Sequence, residues 1–393
     1  MERISEAGQT LNRAASALIE LTCVGSHREM GRAQGRWLGL HRKEILQALA
    51  HNQFAPFWIQ WGGSALLQSL LSVKGLFMEW SHLPNLRKFA PSQVERMRGM
   101  AEGAEIPFNL MLGLASIESL SASFSFVLGC TSIAVGKSRS KSKGPLIGYN
   151  HDFSGFFREH LLVRRSQSRN CFPSVQLTYP SLPGAIAGIN DAGVAVTLNH
   201  AYSMEPENHG VPPTLLVQEA LDHCRNTDEV RALFKKAVVA CGSIVTVVDE
   251  KGAMIALELS RGRFGARKPR GDLSLTLNRY QLSRLKQIEV PQQAKFHPRK
   301  FPKPFRHVPI HLHNWERRRR FEELLSANSP LGPKDLKRYL SDHDGSATGG
   351  LGTICRHHPT ADTIASAIFY PRERRLEAAR GFACQAQYQA FSL

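Results

Sequence analysis

Leu128-Gly129-Cys130-Thr131-Ser132-Ile133, about a third of the way along the chain, is where its pattern changes. Upstream, apolar residues recur at helical spacing; downstream comes a series of short strand-like runs separated by turns. A free cysteine is ordinarily a small buried hydrophobe. One at such a junction has a second use, because cleavage of the Gly129-Cys130 bond would give it a free α-amine. The unperturbed pKa of that amine, about 7.7 to 8.0, suits a base near neutral pH. Nucleophile and base would then share one residue. Glycine before the cysteine fits a strained turn, since no Cβ keeps the thiol from the preceding carbonyl.

Working outward, 393 residues can bury a sizeable core as one large domain. With 42% hydrophobic residues the composition is that of a globular protein, neither disordered nor fibrous. A formal charge of +17 favours anionic partners or substrates. The seven cysteines are scattered without a CxxC pair, against both a disulfide framework and a zinc ribbon. No secretory leader or membrane-spanning apolar run is read, so a cytoplasmic protein without membrane partners is the expectation.

Residues 1 to 18 read as a poorly ordered segment and 19 to 129 as a mostly helical piece opened by a strand at Ile19 to Cys23. A helix is expected over Met30 to Ala50, interrupted early by Gly31 and Gly35, and another over Ala65 to Phe77. Ser92-Gln93-Val94-Glu95 reads as a capping box at the start of a third. From Cys130 strands are expected at 131–135, 146–149, 161–164, 175–179, 185–189 and 194–198. Helices follow at 215–225 and 229–237, then a hairpin of 244–248 and 254–259. A strand over 273–277 ends at Asn278, and 288–313 reads as a long surface loop. Helices at 315–327 and 333–340 and strands at 364–370 and 376–379 complete the chain.

Several motifs lead nowhere. Gly136-Lys137-Ser138 lacks the leading glycine and the following helix of a phosphate loop. His311-Leu312-His313 and His357-His358 lack metal-ligand spacing and read as solvated loop residues. Arg317 to Arg320 falls within an amphipathic helix and reads as a solvated face, so a nucleic-acid partner is not expected.

Around Cys130 other short motifs fall in a definite order: Met100-Ala101-Glu102-Gly103-Ala104, then Gly148-Tyr149-Asn150-His151-Asp152-Phe153, Gly188 to Val194, and Thr276-Leu277-Asn278. Together they resemble the acyl-coenzyme A:6-aminopenicillanic acid acyltransferase family of N-terminal nucleophile hydrolases. The resemblance runs from Ile19 to the last strand. It implies an α+β, four-layer αββα sandwich in which 19–129 is released as the smaller subunit and 130–393 is the catalytic piece, the two forming one structural domain. It further implies Cys130 as the cysteine nucleophile, freed by self-cleavage at Gly129-Cys130, and Asp152 beside the new amine. Asn278 would be a side-chain donor to the oxyanion, with the backbone N–H of Asn190 completing the hole. No metal or organic cofactor is implied.

The likeness has gaps. A Ser-Arg pair of the penicillin enzyme has no arginine counterpart in Thr360-Ala361-Asp362-Thr363, and the loop after Cys130 is longer and more basic. Arg356, in Thr353-Ile354-Cys355-Arg356, matches a family motif and is a candidate substrate-binding residue. The expected activity is that of an amidohydrolase or acyltransferase on linear amide bonds, its partners a small N-acyl substrate and the two fragments of its own chain. The alternatives are an acyl-coenzyme A-dependent N-acyltransferase and a catalytically inactive basic binding protein.

Overall fold

The computed structural model describes residues 18–51, 57–119, 129–205, 209–297, 305–326, 329–358 and 361–393. The expectation for residues 1–17 and the residue Thr360 lie outside that set.

The described part before Cys130 comprises β1 (Ile19–Val24), α1 (His27–Ala50), α2 (Phe57–Ser81), α3 (Leu83–Phe89), α4 (Pro91–Gly103) and α5 (Phe108–Ala115). Then come β2 (Gly129–Val135), β3 (Leu146–Phe153), β4 (Leu162–Gln167), β5 (Ser174–Thr178), β6 (Ala187–Asn190) and β7 (Ala195–His200). Helices α6 (Pro213–His223) and α7 (Thr227–Lys236) lead into β8 (Ser243–Val248), β9 (Met254–Ser260), β10 (Arg263–Arg267) and β11 (Leu273–Thr276). Last are α8 (Leu312–Leu325), α9 (Pro333–Leu340), β12 (Asp362–Tyr370), β13 (Arg375–Arg380) and β14 (Gln389–Ser392).

The strands form two sheets, β1-β4-β5-β6-β7-β8-β9-β10 and β11-β2-β3-β12-β13-β14. Period-two alternation decides which side chains meet. Ala134, Ile147, Tyr149, Ala367 and Phe369 point from the second sheet toward Val163, Val175, Leu177, Ile189 and Ala195 of the first. Their neighbours Ile133, Val135, Leu146 and Ile368 point the other way, onto Phe321 of α8 and Leu336 and Leu340 of α9. The far face of the first sheet, including Val196, Val245 and Leu257, is covered by the helices before Cys130 and by α6 and α7. Helix, sheet, sheet and helix layers therefore stack in that order, as expected.

Local readings fail where tertiary contacts override them. Gly31 and Gly35 do not interrupt α1; they let it cross α4 closely, because a Cβ at Gly31 would lie 2.1 Å from Arg96 O and one at Gly35 2.3 Å from Met100 O. The capping box at Ser92 does not form. Helix α4 starts two residues earlier with Ala90 as N-cap, and the Ser92 N–H donates to Glu219 instead. The 288–313 stretch is no simple surface loop, since Val290, Phe296, Phe305 and Ile310 build a buried cluster with Tyr202 and Ala361. Strands β10 and β14 and helices α3 and α5 were not expected.

Candidate active site

Cys130 is the second residue of β2, which pairs antiparallel with β3 so that Cys130 lies opposite His151 and Gly129 opposite Asp152. Residues directly opposite share a face. Cys130, Tyr149 and His151 therefore point between the sheets, whereas Gly129, Thr131 and Asp152 face α8. Cys130 Sγ lies 3.5 Å from His151 Nδ1 and 3.4 Å from the Tyr149 hydroxyl. His151 Nε2 meets the Tyr179 hydroxyl at 2.9 Å, and the Tyr149 hydroxyl donates to Leu198 O at 2.8 Å. Burial, then the Asp152 charge, push the Cys130 thiol up to about 12, so it is protonated at neutral pH. Burial and His200 push His151 down to about 3, which keeps its imidazole neutral and weakens it as a base.

On the other face the backbone of Cys130 is gripped. Its N–H donates to Asn278 Oδ1 at 3.2 Å, while Arg317 Nη1 donates to its carbonyl oxygen at 3.0 Å. Arg317 also reaches Thr131 Oγ1 at 3.0 Å, Asn278 Oδ1 at 2.8 Å and Asn314 Oδ1 at 3.1 Å. Asn278 Nδ2 donates to His200 O at 2.8 Å, which fixes the amide's orientation and leaves its second N–H. Asp152 is fully buried between Arg317 Nη1 at 3.5 Å and Arg356 Nε at 3.4 Å, and accepts from Thr363 Oγ1 at 2.8 Å. Burial and Arg356 lower the Arg317 pKa to about 10, still cationic at neutral pH.

Gly129 has another reason to be glycine than the strained turn expected of it. It lies in extended strand, outside the positive-φ residues. A Cβ there would fall 2.6 Å from Arg356 Nη1 and 3.0 Å from Asp152 Oδ2, so the missing side chain admits the ion pair.

The structure thus gathers Gly129, Cys130, Asp152, Asn278 and Arg356. It does not bring Asn190 to them. The Asn190 N–H is spent on Val194 O at 3.1 Å, and its side chain donates to Leu221 O and Cys224 O at the end of α6. Asn190 stands beside Val194, ahead of the first residue of β7, whereas Cys130 lies near Leu198 and His200 at that strand's other end; the turn-forming role prevails. Arg317, read as part of a solvated face, is fully buried instead, while Arg318 to Arg320 of the same helix pair with acidic neighbours. His311 and His313 are also buried, bonded to Val290 O and the Tyr202 hydroxyl. Tyr149 and His151 sit inside the quoted Gly148–Phe153 motif, and strand alternation opposite Cys130 was the signal for them. For Arg317 no local signal exists.

Beside Cys130 Sγ opens a small pocket walled by Leu49, Leu114, Phe157, Ile186 and Leu198. Glu118 and His200 are also at its wall. Burial raises Glu118 to about 7 despite hydrogen bonds from Thr214, and lowers His200 to about 4.

The chain belongs to the acyl-coenzyme A:6-aminopenicillanic acid acyl-transferase family, whose model matches residues 139–381. That span holds Asp152, Asn278, Arg317 and Arg356 and begins after Cys130. Similar solved structures include a Caenorhabditis elegans ortholog of N-acylethanolamine-hydrolyzing acid amidase, at 13% identity and TM-score 0.42, covering 67% of this chain and 100% of that one. A conjugated bile acid hydrolase variant from Clostridium perfringens is similar at 11% identity and TM-score 0.40, covering 67% and 97%. Penicillin V acylase from Agrobacterium tumefaciens is similar at 10% identity and TM-score 0.37, covering 67% and 86%. No curated protein matches the chain.

Proposed function

We propose that this chain is a self-processing N-terminal nucleophile enzyme that hydrolyses or transfers the acyl group of a small N-acyl amide through a thioester on Cys130. The observation that carries this reading is the two-sided setting of Cys130: its thiol faces an apolar pocket while Asn278 and Arg317 hold its backbone N–H and carbonyl.

Processing begins when Cys130 Sγ attacks the Gly129 carbonyl carbon. The thiol proton passes to the departing nitrogen, the C–N bond breaks and a thioester forms. Water then hydrolyses it to a Gly129 carboxylate and a free Cys130 thiol and amine. The freed α-amine takes the thiol proton from a group that burial otherwise keeps protonated, and returns it to the leaving amine of the substrate. Asn278 Nδ2, oriented by His200 O, offers its second N–H to the oxyanion. Asp152 and the two arginines set the field at the new N-terminus.

The pocket walls give the acyl group its chemistry, which is apolar. Leu49, Leu114 and Glu118 come from before the cleavage point and Phe157, Ile186 and Leu198 from after it, so the smaller piece stays in place for turnover. Parallel pairing of β1 with β4 supports that retention. An acyl-coenzyme A donor remains the acyltransferase version, and the +17 charge favours such an anion. The test is a panel of N-acyl amides and acyl-coenzyme A donors, with the Cys130 acyl adduct read by mass. Saturation by neutral amides without an acyl-coenzyme A adduct selects the hydrolase; absence of any adduct with either class rejects both.

A further inference from the structure

Away from Cys130, on the outer side of the second sheet, four side chains from three segments meet. His343 follows α9, Cys355 and His357 flank Arg356 in the loop before β12, and Cys384 lies in the turn after β13. Their donor atoms all lie within 4.8 Å of one another. His357 Nε2 is the focus: 3.2 Å from His343 Nε2, 3.3 Å from Cys384 Sγ and 3.5 Å from Cys355 Sγ. One ring nitrogen carries one proton or one lone pair and satisfies one of those partners. Convergence of three on it is poorly served by hydrogen bonds and well served by a cation.

We propose that His343, Cys355, His357 and Cys384 bind a structural Zn²⁺ ion in a closed His₂Cys₂ site. Tetrahedral zinc with ligands at about 2.0–2.1 Å (nitrogen) and 2.3 Å (sulfur) has N···N edges of about 3.4 Å and N···S edges of about 3.6 Å. The 3.2, 3.3 and 3.5 Å separations lie close to those edges. Two soft thiolates with two imidazoles select zinc over the hard cations that prefer oxygen. Binding releases the two thiol protons, leaving a neutral centre of two thiolates and one Zn²⁺.

The surroundings fit a built site. A Cβ on Gly349, at φ +68°, would lie 2.9 Å from His357 Cδ2 and 3.0 Å from His343 Cδ2, so this position leaves room for both rings. The His357 ring stacks on Phe382 with centroids 3.8 Å apart. Scattered ligands explain why counting cysteine pairs found nothing: the chain brings them together only once β12 and β13 are paired. Because Cys355 and His357 flank Arg356, the ion would anchor the loop that carries this arginine to Asp152 and Gly129. Zinc binding itself does not depend on the proposed reaction; the effect on processing does.

Elemental analysis of the untagged full chain, purified without chelator, is expected to find about one zinc per chain. Cobalt exchange should give a thiolate-to-cobalt charge-transfer band. Cys384→Ser, at an exposed position, and His343→Ala are each expected to lower zinc content at least about tenfold and abolish the band. A chelator should lower the melting temperature of the wild-type chain but not of the variants. Less than about a tenth of an equivalent of metal in folded wild-type protein, with no cobalt band, would overturn the proposal. So would a Cys355–Cys384 disulfide in its non-reduced peptide map. Zinc present with unchanged processing after its removal would keep the site and reject only its link to Arg356.

Discussion

Arg317 donates to the carbonyl oxygen of Cys130 at 3.0 Å from a position with no exposed surface. The same guanidinium joins Asn278, Asn314, Thr131 and Asp152, and so links α8 to the start of β2. Replacing it by methionine would leave Asp152 with Arg356 as its remaining charged partner among the described residues. Breaking a buried pair by removing one member costs about 3–5 kcal/mol. Arg317→Met is expected to lower the denaturation midpoint and to accumulate unprocessed chain, whereas Arg317→Lys keeps the charge but loses the fork and recovers stability only in part. Denaturant titration with fragment yield on a gel checks both; wild-type stability in Arg317→Met would show the contacts to be idle.

Gly129 should tolerate no side chain. With a Cβ only 2.6 Å from Arg356 Nη1, Gly129→Ala must displace a buried guanidinium or shift the strand that presents the Gly129-Cys130 bond. Misplacement of about 1 Å costs on the order of a hundredfold in well-oriented reactions. The expected result is a folded chain that cleaves at least about tenfold more slowly in a timed gel series. Wild-type cleavage would show that the space beside Gly129 is not limiting.

Most helices and strands were legible as local segments, and their four-layer stacking only through the resemblance carried by the ordered motifs. Short runs at 131–135 and 146–149, joined by a basic polar loop, marked β2 and β3, and the stripe of Val94, Met97 and Met100 marked α4. Cys130, Asp152 and Asn278 were legible only as parts of ordered short motifs. Arg317 was not legible, because a run of four arginines in a helix looks solvated and only the docking of α8 on the second sheet buries the first of them. Asn190 misled for the converse reason: its motif is also a turn motif, and nothing local tells whether the backbone N–H points at a substrate or at Val194.

Asn278 is expected to matter more for turnover than for folding. Loss of one oxyanion donor costs about two to three orders of magnitude in rate. Asn278→Ala should fall by that amount in kcat with KM little changed. A kcat near that of wild type would make Asn278 a structural partner of Arg317 and Cys130 alone.

Glu118 gives the pocket a pH dependence. Burial raises its folded pKa to about 7 against an ordinary 4.5, so its contribution to stability is fully present below about pH 4.5 and is lost as pH rises through about 7. Across the same window a charge appears in the wall of an apolar pocket. KM for a neutral N-acyl amide should rise as pH passes about 7, and Glu118→Gln should flatten both profiles. Identical profiles in the two proteins would place the titration elsewhere.

Cleavage between Gly129 and Cys130 is the prediction on which the mechanism turns. In the uncleaved chain the Cys130 nitrogen is a peptide amide donating to Asn278 Oδ1, so it cannot serve as a base. Its thiol, raised to about 12, is a poor nucleophile without one. His151, 3.5 Å away but lowered to about 3, and an Asp152 carboxylate already shared by two arginines are weak substitutes. Slow processing followed by fast turnover is therefore expected. Purified protein should yield two fragments, residues 1–129 and 130–393, the larger beginning Cys-Thr-Ser-Ile, which co-elute under native conditions because β1 and the pocket wall hold them together. Cys130→Ala should remain one inactive chain, and Cys130→Ser should separate the steps by cleaving slowly and turning over poorly. A wild-type chain that stays intact while fully active would sink the N-terminal nucleophile mechanism and leave Cys130 an internal thiol beside a neutral His151.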